Sequence, residues 1–210
     1  MSSDPHKDGP VRRVGKPLET ASGAVILLHG RGGSAEDILS LANDFYLPDL
    51  AYLAPQAAQN SWYPNSFLAP VAQNEPWRTS ALGKIEAILQ MVNDAGIPSD
   101  RIVIGGFSQG ACLATEFVAT HPRRYAGLIA FTGGLLGPVG TDLTHEGDLQ
   151  GTPAFLGSGD PDPHVPWQRV QESAKILAAM GAVVTARRYP NRAHTISAEE
   201  IDFAKRLIFV

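Results

Sequence analysis

The stretch RIVIGGFSQGACLATEFVAT, residues 101–120, decides how the rest of the chain is read. It opens on a short apolar run and passes through two glycines. It closes on a segment with Ala114, Phe117 and Val118 on one face. That is the pattern of a buried strand turning directly into a helix. Inside the turn stands Gly106-Phe107-Ser108-Gln109-Gly110, a G-x-S-x-G. A chain with 21 glycines can match so loose a pattern by chance, so its meaning depends on what surrounds it.

The same rhythm continues on both sides. AVILLH (24–29) is an unbroken apolar run, as in a strand covered on both faces. A glycine loop follows, and Ser34 with Asp37 has the spacing of a capping box for a helix reaching residue 45. LAYLAP (50–55) is the next strand. Residues 56–76 have no period and form a long loop, and long loops in compact folds often carry function. A helix begins near Trp77 with Leu82, Ile85, Leu89 and Val92 on one face, and Gly96 and Pro98 end it. Strands are predicted at 125–134, 152–160 and 182–190. Helices are predicted at 167–180, with Gly181 as its C-cap, and from the Ser197/Glu200 pair through Ile201, Ala204 and Ile208. Repeated strand–helix units imply a mostly parallel sheet with helices on both faces. Nothing divides the chain, so residues 1–210 are expected to form one α/β domain. Residues 1–20 are expected as a ragged arm with a short strand near Val11–Val14.

Bulk composition removes several function classes. The net charge is −4 and no run of like charges occurs, so nothing attracts nucleic acid. Apolar runs are far too short to span a bilayer, and residues 1–23 contain no apolar core of a secretory signal. Cys112 is the only cysteine, which rules out an intrachain disulfide and suits a reducing compartment. A cytoplasmic location without membrane insertion is expected, with a homodimer left open.

On an open α/β sheet, chemistry collects at the carboxyl ends of the strands, where Ser108 stands. A serine becomes a nucleophile only beside a base that is itself oriented by an acid. The chain order for such a set on this kind of sheet is serine, acid, histidine. His121 lies a helix length away, His145 precedes the strand that must carry the acid, and His164 shares the acid's loop. His194, in PNRAHT after the strand at 182–190, fits both order and place. In GSGDPDPHVP, both Asp160 and Asp162 qualify as the acid. The loop in LLHGRGGSAED supplies Arg31, whose backbone N–H can complete an oxyanion hole with that of Gln109. His29 is assigned a structural role, orienting that loop. Trp62, Tyr63, Phe67 and Trp77, in or beside the 56–76 loop, are candidates for the wall of a substrate pocket.

Taken together, LLHGRGG, GFSQGA, DPHVP and AHTIS resemble the phospholipase/carboxylesterase family of α/β-hydrolases, which includes the acyl-protein thioesterases. The resemblance covers the chain from about residue 15. It implies the α/β-hydrolase fold, and because the strand–helix units already use every other stretch, no separate lid domain is expected. It also implies Ser108 as nucleophile, His194 as base, the Arg31 and Gln109 N–H groups as oxyanion hole, and no metal or organic cofactor. In the family's D-P-x-V-P segment the acid directly precedes the first proline, which selects Asp162. The chain carries Gly-Arg-Gly where thioesterase members usually have Gly-Leu-Gly, and its 56–76 segment is unlike theirs. It therefore looks more like the bacterial carboxylesterase branch. The implied activity is hydrolysis of small soluble esters through an acyl-enzyme on Ser108. Lysophospholipase or acyl-protein thioesterase activity is the alternative. A non-catalytic ligand-binding module is the alternative from another class.

Overall fold

The computed structural model describes residues 4–208, with the side chain of Ile208 outside the described residues. Residues 1–3 of the expected arm also lie outside them. The strands are β1 (Val11–Gly15), β2 (Gly23–Leu28), β3 (Leu50–Pro55), β4 (Ile102–Phe107), β5 (Gly127–Phe131), β6 (Pro153–Asp160) and β7 (Val183–Pro190). They form one sheet in the order β1-β3-β2-β4-β5-β6-β7. Every pairing is parallel except β1 with β3.

Helices cover both faces, and the pleat sorts the residues between them. On β2, Ala24, Ile26 and Leu28 join the core under α3 (Trp77–Asp94), α4 (Gln109–Thr120) and α5 (Trp167–Ala179). Val25 and Leu27 face α1 (Ala35–Leu39), α2 (Leu41–Phe45) and α6 (Ala198–Ile208). This is why the run AVILL reads as continuously apolar: each face of a central strand has its own core to fill. Among the described residues, no helix is long and apolar enough to cross a membrane.

Three local expectations need correction. The single helix expected to reach residue 45 is two short ones. Its capping box forms, with Asp37 N–H donating to Ser34 Oγ and Ser34 N–H to the Asp37 carboxylate. The helix then breaks at Ser40, whose hydroxyl donates back to the Asp37 carbonyl at 2.7 Å and competes with the helical ladder. Strand β5 stops at Phe131, short of the expected 134, because Thr132 turns to a φ of 58°. The described part of the N-terminal arm is packed, not ragged. His6 is fully buried, and Lys84 Nζ donates to the carbonyls of Lys7 and Gly9.

The turn from β4 to α4 depends on two glycines. A Cβ on Gly106 would overlap the Leu28 carbonyl and the Gly110 backbone. A Cβ on Gly110 would overlap the Leu28 and His29 carbonyls. Helix α4 can therefore start directly against β2 only with glycine at both positions. Gly83, inside α3, has nothing within 4 Å of where its Cβ would stand. In urea unfolding, Gly110→Ala should cost about 3 kcal/mol, as overpacking does. Gly83→Ala should stabilise by about 0.5–1 kcal/mol, since alanine is the better helix former. Equal effects at the two positions would contradict this packing.

Candidate active site

Ser108 sits between β4 and α4 with φ 54° and ψ −119°, a conformation rare for a residue with a side chain. The surrounding backbone holds it there. Ser108 N–H donates to the Phe131 carbonyl of β5, and Cys112 N–H donates to the Ser108 carbonyl, both at 2.9 Å. The hydroxyl then stands above the carboxyl ends of the strands.

His194, from the loop after β7, and Asp162, from the loop after β6, meet it there. Ser108 Oγ and His194 Nε2 are 2.8 Å apart, and His194 Nδ1 and Asp162 Oδ2 are 2.8 Å apart. The Asp162 side chain has no exposure. Its burial pushes the carboxyl pKa up, but the Val165 N–H, His194 and the His164 N–H outweigh that and hold it below its usual value. The other aspartate left open by the sequence, Asp160, points elsewhere and pairs with Arg188. Of the remaining histidines, His121 stacks on Phe117 at the end of α4. The exposed His164 meets the His194 ring edge-on at 4.9 Å.

The loop after β2 lies against the serine: a Cβ on Gly30 would be 3.5 Å from Ser108 Cβ. Neither Arg31 N–H nor Gln109 N–H has an acceptor among the described residues. Their side chains grip one stretch of the 56–76 loop. Arg31 donates to Ser61 Oγ and to the Pro64 and Asn65 carbonyls, at 2.6–3.0 Å. Gln109 accepts from Trp62 N–H at 2.9 Å and donates to the Tyr63 carbonyl at 2.8 Å.

A cavity of about 440 Å³ opens over Ser108, Gln109 and His194. Tyr63 and Phe67 line it, together with Cys112 and Val165. Trp62 and Trp77 do not stand on its wall. Trp62 is wholly buried behind it, its indole donating to the His29 carbonyl at 2.9 Å, and Trp77 packs edge-on against His6. The aromatic composition of the loop could not separate lining from anchoring. Burial pushes the Cys112 thiol up to about 12, so it is no competing nucleophile.

With this geometry in view, comparison with known proteins is decisive. The family described as phospholipase/carboxylesterase matches residues 10–209. The chain belongs to that family. It is thus a serine hydrolase of the phospholipase/carboxylesterase type. A solved phospholipase/carboxylesterase from Dyadobacter fermentans is 46% identical, with 97% of each chain covered and a TM-score of 0.93. Acyl-protein thioesterase 1 of Yarrowia lipolytica is 31% identical over 171 residues, spanning 72% of this chain and 74% of that protein. Its counterpart in Debaryomyces hansenii is 27% identical over 230 residues, with 95% of each covered.

In this member of the phospholipase/carboxylesterase family, two buried histidines fix the loop behind the cavity. His29 matches its expected role: its Nε2 accepts from Ala57 N–H at 3.2 Å, so Nδ1 carries the proton given to the Gly30 carbonyl at 2.7 Å. His6 was missed, because one histidine in a polar arm carries no sequence signal. Its Nδ1 accepts from Ala58 N–H at 3.1 Å, and Nε2 donates to the Trp62 carbonyl at 3.0 Å. The two rings flank Trp62, at centroid distances of 5.5 and 5.0 Å.

Burial lowers both pKa values. The Trp62 carbonyl and Asp4 oppose it at His6, where Lys84 and His29 assist; the Gly30 carbonyl, Asp37 and Glu36 oppose it at His29. The unfolded chain therefore binds protons at these two groups before the folded one does. Stability should fall as pH drops below the unfolded value of 6.5, until the folded values are passed. Urea midpoints measured from pH 7 to pH 5 should show this loss, and a His6→Gln/His29→Gln variant should have a flatter slope. An equal slope in both proteins would contradict it.

Proposed function

We propose that the chain is a serine carboxylesterase that hydrolyses small soluble esters through an acyl-enzyme on Ser108. The observation that carries this reading is the unbroken Ser108–His194–Asp162 hydrogen-bond chain, 2.8 Å at each link. His194 Nε2 takes the hydroxyl proton as Ser108 Oγ attacks the ester carbon. Asp162 holds the imidazole in the tautomer with Nε2 free and stabilises the imidazolium that forms. The carbonyl oxygen, now negative, accepts from the N–H groups of Arg31 and Gln109. Such a donor is worth about 10²–10³ in kcat. The carbon–oxygen bond then breaks, the alcohol leaves with the proton from His194, and water resolves the acyl-enzyme by the same steps reversed.

Substrate size follows from the wall. Tyr63 and Phe67 are anchored through the grip on their loop, and the cavity is at the small end of ligand clefts. Short acyl chains suit it. The thioesterase names of the fungal relatives favour a second reading, hydrolysis of long-chain acyl thioesters by the same residues. The buried lone cysteine also supports a cytoplasmic setting.

Ser108→Ala should lose on the order of 10⁴-fold or more in kcat toward p-nitrophenyl butyrate. Asp162→Asn should lose about 10⁴-fold, by analogy with a triad aspartate, and Asp160→Asn far less. Similar losses at the two aspartates would overturn the assignment of the acid. Across p-nitrophenyl esters, kcat/KM should peak at acyl chains of about two to six carbons. Each buried CH₂ is worth up to about 0.8 kcal/mol only where a pocket receives it. Rates that climb through the palmitate ester would favour the thioesterase reading.

A further inference from the structure

Behind the Gly30–Arg31 turn lies a second cavity, of about 240 Å³. It shares Gly30, Arg31 and Phe107 with the cavity over Ser108. These three residues form the boundary between the two. Gly30 brings no side chain to it, and a Cβ there would be 3.3 Å from the Phe107 ring. The remaining apolar wall is Ile38, Leu41 and Ile196. Other polar side chains on this wall are already engaged. The Asp37 carboxylate closes the capping box with Ser34, Ser40 Oγ donates to the Asp37 carbonyl, and both nitrogens of His29 are bonded. The terminal nitrogens of Arg31 hold the 61–65 segment. Such a wall offers an incoming group dispersion contacts and release from water, with little for a polar group to bind.

Position says which part of an ester belongs there. The Phe107 ring lies 5.0 Å from the His194 imidazole, and Ile196 follows His194 in the same loop. The cavity is therefore on the histidine side of Ser108, toward α1, α2 and α6. Tyr63, Phe67 and Cys112 lie toward the opposite face of the sheet. When the tetrahedral intermediate collapses, the bond from the carbonyl carbon to the alcohol oxygen breaks. Its electron pair stays on that oxygen, which takes the proton from His194 Nε2. The alcohol oxygen must then lie beside His194, whose ring neighbour Phe107 lines both cavities.

We propose that this second cavity is the leaving-group subsite and takes the apolar part of an aliphatic or aryl alcohol. At about 30 Å³ per heavy atom, the share of one water in the liquid, it holds about eight atoms. The inference rests on the esterase reading above and adds a substrate class to it: esters of medium-sized apolar alcohols.

The test is a series with the acyl group fixed. Butyrate esters of methanol, butan-1-ol, hexan-1-ol and benzyl alcohol share one acyl-enzyme, so kcat/KM in a pH-stat compares acylation alone. The hexyl-to-methyl ratio of kcat/KM should be about tenfold or more, from burial of the added methylenes. Ile196→Trp and Leu41→Trp fill the cavity and should bring that ratio close to one. Ile196→Ala enlarges it and should move the optimum to longer alcohols. A flat series in the natural protein, or a ratio unmoved in every folded variant, would overturn the proposal. Failure to hydrolyse any butyrate ester would instead strike the esterase reading. A binding measurement then decides separately. Hexan-1-ol added to the Ser108→Ala protein should shift the methyl resonances of Ile38, Leu41 and Ile196, and unshifted methyls would contradict the subsite.

Discussion

A serine held at a φ of 54° is the constraint around which this structure is arranged. Left to itself, a residue with a side chain avoids that conformation at a cost of order 1–3 kcal/mol. Here the neighbours over-determine it. Gly106 and Gly110 let α4 press against β2, and hydrogen bonds to Phe131 and from Cys112 fix the peptides on either side. The turn is sharp because Ser108 alone joins β4 to α4, and a sharp turn lifts the hydroxyl clear of the sheet. The parallel strands then determine what can reach it. Loops after β2, β6 and β7 all end at the same edge, and they bring the Arg31 N–H, Asp162 and His194.

The wall of the cavity is tied to the same turn. The backbone N–H groups of Arg31 and Gln109 have no acceptor among the described residues, and both side chains fasten the 61–65 segment. Behind that segment, Trp62 is fixed between two neutral histidines, each accepting from a neighbouring peptide of the loop. The N-terminal arm thus reaches the site indirectly: His6 holds the loop, and the loop carries Tyr63. Position and wall are set by one continuous network rather than by separate devices, and in our proposal the wall limits the acyl chain.

Much of this was legible in the sequence. The unbroken apolar run 24–29 reported a strand with two cores, and the G-x-S-x-G lay at the strand–helix junction where it has a mechanism. Ser34/Asp37 and Ser197/Glu200 marked helix starts that the structure contains. What could not be read depended on long-range contacts. Asp160 and Asp162 both precede a proline in one loop; chain order left both open, the family resemblance alone chose Asp162, and in the structure their partners differ, Arg188 for one and His194 for the other. Trp62 and Tyr63 are adjacent, yet one packs behind the cavity and the other lines it. The end of β5 hangs on the backbone of one threonine, and the break at Ser40 on one hydroxyl. His6 became visible only once the arm was seen folded against residues 57–62.

The account stands or falls on a covalent bond to Ser108. Rapid mixing with p-nitrophenyl butyrate should release a burst of nitrophenol close to one equivalent of protein. Acid quenching during that burst, followed by peptide mass analysis, should find a butyryl group on Ser108 alone. Turnover without any acylated Ser108 during the burst, or with the acyl group on another residue, would contradict it.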